Sequence, residues 1–117
     1  MDEPINLTVA ELGAAYRSRE LSPVEVTAAF LDRITDIDQD LHAFVTVLSE
    51  TALAQAADAE RHFASGEPVG ALAGIPVALK DAFHVAGSPT SLGSRVYAGQ
   101  VSKADSGVVR RLRAAGS

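Results

Sequence analysis

The sequence predicts an α/β layer fold. Three observations carry that expectation. Two capped amphipathic helices open the chain, a β-branched and aromatic run follows at residues 43–48, and a continuous apolar run stands at residues 75–79. The order reads helices, strand, helix, strand, long loop, helix. Two strands make a marginal sheet by themselves, so the plan is that of the opening of something larger.

The first helix starts at Thr8. Glu11 follows three residues later, so hydroxyl and carboxylate can each satisfy an orphan backbone donor in a capping box. Leu7 and Leu12 stand at the staple positions, and Leu12, Ala15 and Tyr16 form the inner face. The same signal returns at Ser22, with Pro23 in the first turn, Glu25 closing the box, and Leu21 and Val26 as staple. This second helix is expected to reach about Asp36, with Val24, Ala28, Leu31 and Ile34 inward. After the first expected strand, Ser49 caps an Ala-rich helix over 50–65 that Gly66 closes. Glycines and Pro68 make 67–74 a turn. Pro76 belongs at the start or edge of the second strand, because it cannot donate to a ladder. Residues 83–102 read as loop. Asp105 or Ser106 then caps a last helix with Val108, Val109 and Leu112 apolar, stopped by Gly116.

Composition bounds the rest. At 117 residues there is room for one domain, and with 5% aromatics and no Trp its core is built largely from small side chains. The absence of Cys excludes disulfides, thiolate metal sites and a cysteine nucleophile. The acidic start has no basic or long apolar region of a signal peptide, and no apolar run is long enough to span a membrane. A soluble cytoplasmic protein is expected. Residues 1–60 carry 12 acidic and 3 basic side chains, and residues 61–117 carry 3 and 7. The acidic half argues against general nucleic-acid binding, and the basic half reads as a solvated helix face.

Lys80 is the candidate for chemistry. It directly follows five apolar residues, at the end of an expected buried strand. Burial disfavours an ammonium, which is how a lysine becomes a proton acceptor near neutrality. The chain uses Arg eight times and Lys twice, at Lys80 and Lys103. Arginine stays protonated, so a base is one place where it would not serve. The alternative is a lysine that snorkels from a strand end to water, and the residues alone favour that reading. Asp81 reads as a cap rather than a second catalytic group. Thr90, Ser91 and Ser94 read as turn-making hydroxyls, since no nucleophile elbow surrounds them. His42, His62 and His84 match no metal motif, and Asp58 and His62 can pair along the third helix. Gly66, Gly70 and Gly74 match no phosphate-binding fingerprint, and Asn6-Leu7-Thr8 matches a glycosylation acceptor without a secretory route.

The string Gly70-Ala71-Leu72-Ala73-Gly74-Ile75-Pro76-Val77-Ala78-Leu79-Lys80-Asp81 resembles the segment of amidase-signature enzymes that ends in their catalytic lysine. The loop from Val85 to Ser94, the helix that follows and the capped opening helices resemble the family too, so the likeness spans nearly the whole chain. It implies an α/β/α fold on a mixed sheet. The chain would then be the N-terminal portion of an amidase domain, with a helical opening at 1–40 and the start of the α/β core at 41–117, here truncated. It implies no metal and no cofactor. It implies a Ser–cis-Ser–Lys triad that cleaves amides through an acyl-enzyme, with Lys80 as the lysine. The stretch that carries both serines lies beyond Ser117 in family members, so the chain alone is expected to be inactive.

Two classes follow. One is an amide hydrolase acting on a small-molecule amide, or within it the A-subunit branch of tRNA-dependent amidotransferases. The other is a non-catalytic remnant or interaction module. The expected partners are the amide substrate, no nucleic acid and no membrane, with self-association through exposed core surface.

Overall fold

The computed structural model describes residues 3–117; Met1 and Asp2, which open the acidic start, lie outside the described residues. Four α-helices form: α1 Val9–Ser18, α2 Pro23–Leu41, α3 Ser49–Ser65 and α4 Gly107–Ala114. A short 3-10 turn, Pro4–Asn6, precedes them. The chain divides into two compact units, one of residues 3–76 with 115–117 and the other of residues 77–114.

In the first unit both capping boxes form. Thr8 N–H donates to Glu11 Oε2 at 2.7 Å and Glu11 N–H to Thr8 Oγ1 at 3.2 Å. Ser22 Oγ accepts from Val24 N–H at 3.0 Å, and Glu25 Oε2 accepts from Ser22 N–H at 3.2 Å. The Thr8 bonds hold the Glu11 carboxyl below its ordinary range, because they favour the charged form.

Leu12, Tyr16, Val26 and Ile75 make the buried core, and Leu7, Leu21, Phe30, Phe63 and Leu72 pack on it. Both staple leucines thus meet the core as the spacing predicts. Ala15, Ala56 and Ala73 are buried as well, and the Tyr16 and Phe63 rings meet in a tilted pair at 5.6 Å. The inner face of α2 differs from the expectation. Pro23, Val26 and Thr27 are buried, whereas Val24, Ala28, Leu31 and Ile34 are half-buried. Two apolar stripes at helical spacing coexist on α2, and periodicity alone does not rank them.

Helix α2 also runs to Leu41, past the expected end at Asp36. His42, in the left-handed region at φ 51°, ends it. Asp38 Oδ1 then accepts the Ala43 N–H at 2.6 Å and the Phe44 N–H at 3.3 Å. Those donors are therefore tied back to the helix rather than to a neighbouring strand. Helix α3 begins one residue earlier than expected, with Leu48 in the cap position and no side-chain cap. Gly66 closes it at φ 74°. Along α3, Asp58 pairs with Arg61 at 2.7 Å and stands 3.8 Å from His62.

The two expected strands are not formed, and among the described residues there is no sheet. A strand needs a partner for its backbone donors and acceptors. Residues 43–48 have none, and Val45 stays 74% exposed. At residues 75–79, Ile75 N–H closes a turn onto Leu72 O at 3.0 Å, and Val77 is half exposed.

The second unit is built from turns and α4. A single antiparallel bridge, Pro89 with Val101, joins its loop. Gly87 N–H donates to Ser102 O at 2.9 Å, Ser102 N–H to Ser88 O at 3.0 Å, and Thr90 N–H to Gln100 O at 3.1 Å. Helix α4 opens with Arg110 N–H on Ser106 O at 3.0 Å. Neither expected cap acts through its side chain. Asp105 Oδ1 accepts from Ala86 N–H at 2.8 Å and Oδ2 stands 3.4 Å from Arg113, while Ser106 Oγ is buried without a partner. Of the apolar residues on α4, Val109 is buried and Val108 is 40% exposed. Arg111 and Arg113 in the last turn suit the negative end of its dipole.

Candidate functional site

Lys80 lies in the second unit, where the apolar run gives way to turns. Its side chain is exposed, and so are Val77 and Ala78 before it. The burial anticipated for a strand end is not present, because no neighbouring strand covers the run among the described residues. The Lys80 carbonyl accepts the Phe83 N–H at 3.1 Å, which turns the chain immediately after the lysine. Among the described residues Lys80 forms no ion pair.

Asp81 is held on both its polar groups. Its carbonyl accepts Leu92 N–H at 3.1 Å, and its Oδ1 accepts Ser91 N–H at 2.8 Å. Ser91 Oγ donates to Oδ2 in a short hydrogen bond. The Ser91 hydroxyl and then its backbone N–H hold the Asp81 carboxyl below its ordinary range, with smaller help from Gly93 N–H and the Lys80 charge. The sequence suggests a cap for the turn that follows Asp81; its carboxylate instead holds a loop that returns ten residues later.

Two of the three hydroxyls, Ser91 and Ser94, make turns as expected, and Thr90 does not. Ser91 Oγ also accepts Gly93 N–H at 3.3 Å, and Ser94 Oγ accepts Val96 N–H at 3.2 Å. Thr90 Oγ1 lies 2.9 Å from Ser102 Oγ, which in turn lies 2.8 Å from His84 Nδ1. This His84–Ser102–Thr90 chain is invisible to sequence reasoning, since Ser102 sits 18 residues from His84 with no local motif. The signal that could have found the Asp81 tie was present: an aspartate and a Ser-x-Gly turn at opposite ends of one loop. The structure brings Lys80, Asp81, Ser91 and Gly93 into one turn cluster. Ser94 belongs to the next turn, and Lys103 is exposed elsewhere in the loop. Among the described residues no group of His, Asp and Glu could hold a metal ion, and no helix is long and apolar enough to cross a membrane.

The amidase family profile matches residues 25–117. Over 119 aligned residues the chain is 50% identical to the glutamyl-tRNA(Gln) amidotransferase A-subunit of Salinispora arenicola (strain CNS-205), covering all of this chain and 24% of that protein. The protein of the same name from Thermobifida fusca (strain YX) is 47% identical over 99% of this chain and 23% of its own length. Among solved structures, peptide amidase from Stenotrophomonas maltophilia matches with a TM-score of 0.87 at 37% identity, over 95% of this chain and 23% of that one. A bacterial aryl acylamidase of the amidase-signature family matches with a TM-score of 0.79 at 35% identity, over 84% and 20%. The chain thus spans about a quarter of the length of the relatives it matches. With the profile covering most of its residues, the chain belongs to the amidase-signature family.

Proposed function

We propose that this chain is the lysine-bearing opening of an α/β/α enzyme that cleaves amide C–N bonds in the cytoplasm. Residues 1–40 form its helical opening and residues 41–117 begin its α/β core, with 43–48 and 75–79 becoming strands once partners flank them. Exposed Val45 and Val77 support that reading, since each offers apolar surface that a mixed sheet would cover. The same surface lets isolated chains associate.

Lys80 is the base in this reading. The observation that carries it is the Gly-Ile-Pro-Val-Ala-Leu-Lys-Asp string inside the family match. In the triad that the family resemblance implies, the lysine takes a proton through a bridging serine while a second serine attacks the amide carbonyl. The amine leaves, and the acyl-enzyme is released by water or passes its acyl group to a transfer reaction. Backbone donors stabilise the tetrahedral intermediate. This chain supplies the lysine and not the nucleophile, so by itself it is read as inactive.

A second reading is favoured by the relatives of 43–50% identity, each of them named as the A-subunit of glutamyl-tRNA(Gln) amidotransferase. There the chain works inside a complex with other protein chains, and its substrates include glutamyl-tRNA(Gln). The two readings share the lysine chemistry.

A graft tests the shared part. Residues 1–117 replace the matching quarter of the S. maltophilia peptide amidase, and ammonia release from a peptide amide is measured. Activity supports an amidase segment. A folded graft without activity returns the chain to the non-catalytic class.

A further inference from the structure

A lysine meant to accept a proton stands directly beside a carboxylate. That neighbour is a liability, because a carboxylate next in the sequence can close an ion pair with the amine, and an ion pair favours charged partners. The local geometry shows how the pairing is avoided. Ser91 occupies both oxygens of Asp81 at once, its N–H on Oδ1 at 2.8 Å and its hydroxyl on Oδ2. Leu92 N–H fixes the Asp81 carbonyl at 3.1 Å, so the backbone under the carboxylate is fixed too. The carboxylate faces into its own loop, and among the described residues no Lys80 ion pair closes.

We propose that Ser91 is a positioning residue that sequesters the Asp81 carboxylate, keeping the Lys80 amine unpaired and available as a proton acceptor. The value of that availability rests on the base role assigned to Lys80 above, but the sequestration itself does not. Ser91 acts through Asp81 and touches no reacting atom. All the groups involved lie in one compact unit.

The chain offers an internal standard for the test, since it has only two lysines, Lys80 and Lys103. The full chain is labelled at one pH with a trace of acetic anhydride, which reacts with the unprotonated amine. Mass spectrometry then gives the Lys80 to Lys103 labelling ratio. Ser91→Ala frees the carboxylate to pair with Lys80, so the ratio should fall about threefold or more, the worth of an exposed ion pair. Asp81→Asn removes the charge, so the ratio should stay at or above wild type. The double variant Asp81→Asn with Ser91→Ala should match Asp81→Asn alone. Ser91→Thr keeps the hydroxyl and should restore the wild-type ratio, and Ser22→Ala, which weakens a helix cap in the other unit, should leave it unchanged.

A role that merely tightens the loop predicts otherwise: both single variants loosen the same tie and shift the ratio in the same direction. That result, an unchanged ratio in Ser91→Ala, or a double variant that stays as low as Ser91→Ala would overturn the proposal. The readout needs no turnover. It can therefore fail while Lys80 still proves to be the base, and it can succeed while Lys80 proves dispensable.

Discussion

The Tyr16 hydroxyl donates to the Gly74 carbonyl at 3.1 Å across 58 residues of sequence, and both groups are buried. The bond fastens helix α1 to the turn that leads into the lysine string. Gly74 sits at φ 73°, and a Cβ there would come within 2.9 Å of Pro23 Cγ and 3.2 Å of Tyr16 Cε2. Glycine is required here twice over, for the backbone conformation and for the close approach.

Tyr16→Phe leaves a buried carbonyl without its donor and should cost about 1–3 kcal/mol. Gly74→Ala meets both the positive φ and the Pro23 contact and should cost on the order of 1–3 kcal/mol. Urea unfolding of each variant followed by circular dichroism measures both. A Gly74→Ala chain as stable as wild type would contradict the packing described.

Alkali should unfold the first unit through the same side chain. Burial pushes the Tyr16 phenol up to about 12 from an ordinary 10. A group whose value is raised by folding stabilises fully below its unfolded value and loses that contribution as pH rises through the folded one. Stability should therefore decline between pH 10 and 12. Tyr16→Phe should flatten that decline, with Tyr97→Phe as the control that isolates the Tyr16 ultraviolet signal. An unchanged alkaline limb in Tyr16→Phe would reject the assignment.

The helix starts predict opposite outcomes for two serines. Ser22 caps α2 through two backbone donors, so Ser22→Ala should cost about 1 kcal/mol. Ser106 precedes α4, but its buried Oγ has no partner. Ser106→Ala removes an unsatisfied polar atom and should change stability by less than about 0.5 kcal/mol, or raise it. Thermal melts of the pair decide it; a larger loss in Ser106→Ala than in Ser22→Ala would overturn the account of both caps.

Acid should open the loop after Lys80. The Asp81 carboxyl is lowered chiefly by the Ser91 hydroxyl and backbone N–H. A depressed carboxyl contributes stability above its unfolded value and loses it as pH falls through the folded one. Hydrogen exchange at the Ser91 and Leu92 amides, followed from neutrality to below about pH 4, the ordinary carboxylate range, should show protection lost at the acid end. Asp81→Asn should show weak protection at every pH. Protection that persists in Asp81→Asn would mean that the carboxylate does not hold this loop.

The helical opening was legible because its signals are local. Thr8 with Glu11 and Ser22 with Glu25 lie within one turn, and the staple leucines are one residue outside. The end of α2 was not legible, because it depends on Asp38 reaching forward to Ala43 and Phe44. The strands expected at 43–48 and 75–79 were read from composition, which reports an affinity for sheet but not the presence of a partner. For the site, the lysine string was legible as a string. Its wiring was not, since Asp81 to Ser91 and His84 to Ser102 span 10 and 18 residues. Asp105 illustrates the same limit: it looks like a cap for the next helix and instead holds Ala86, 19 residues back.

The central claim is that Lys80 accepts a proton in amide cleavage, and Lys80→Arg in the active graft with peptide amidase tests it most directly. Arginine keeps the charge and most of the stem, but a guanidinium stays protonated. Losing a positioned base should lower kcat by about a hundred- to ten-thousand-fold, while the melting temperature stays near that of the unmodified graft. Lys103→Arg, at an exposed position outside the string, should leave both nearly unchanged. Near-unmodified turnover in a folded Lys80→Arg graft would contradict the account and return Lys80 to an ordinary solvated lysine.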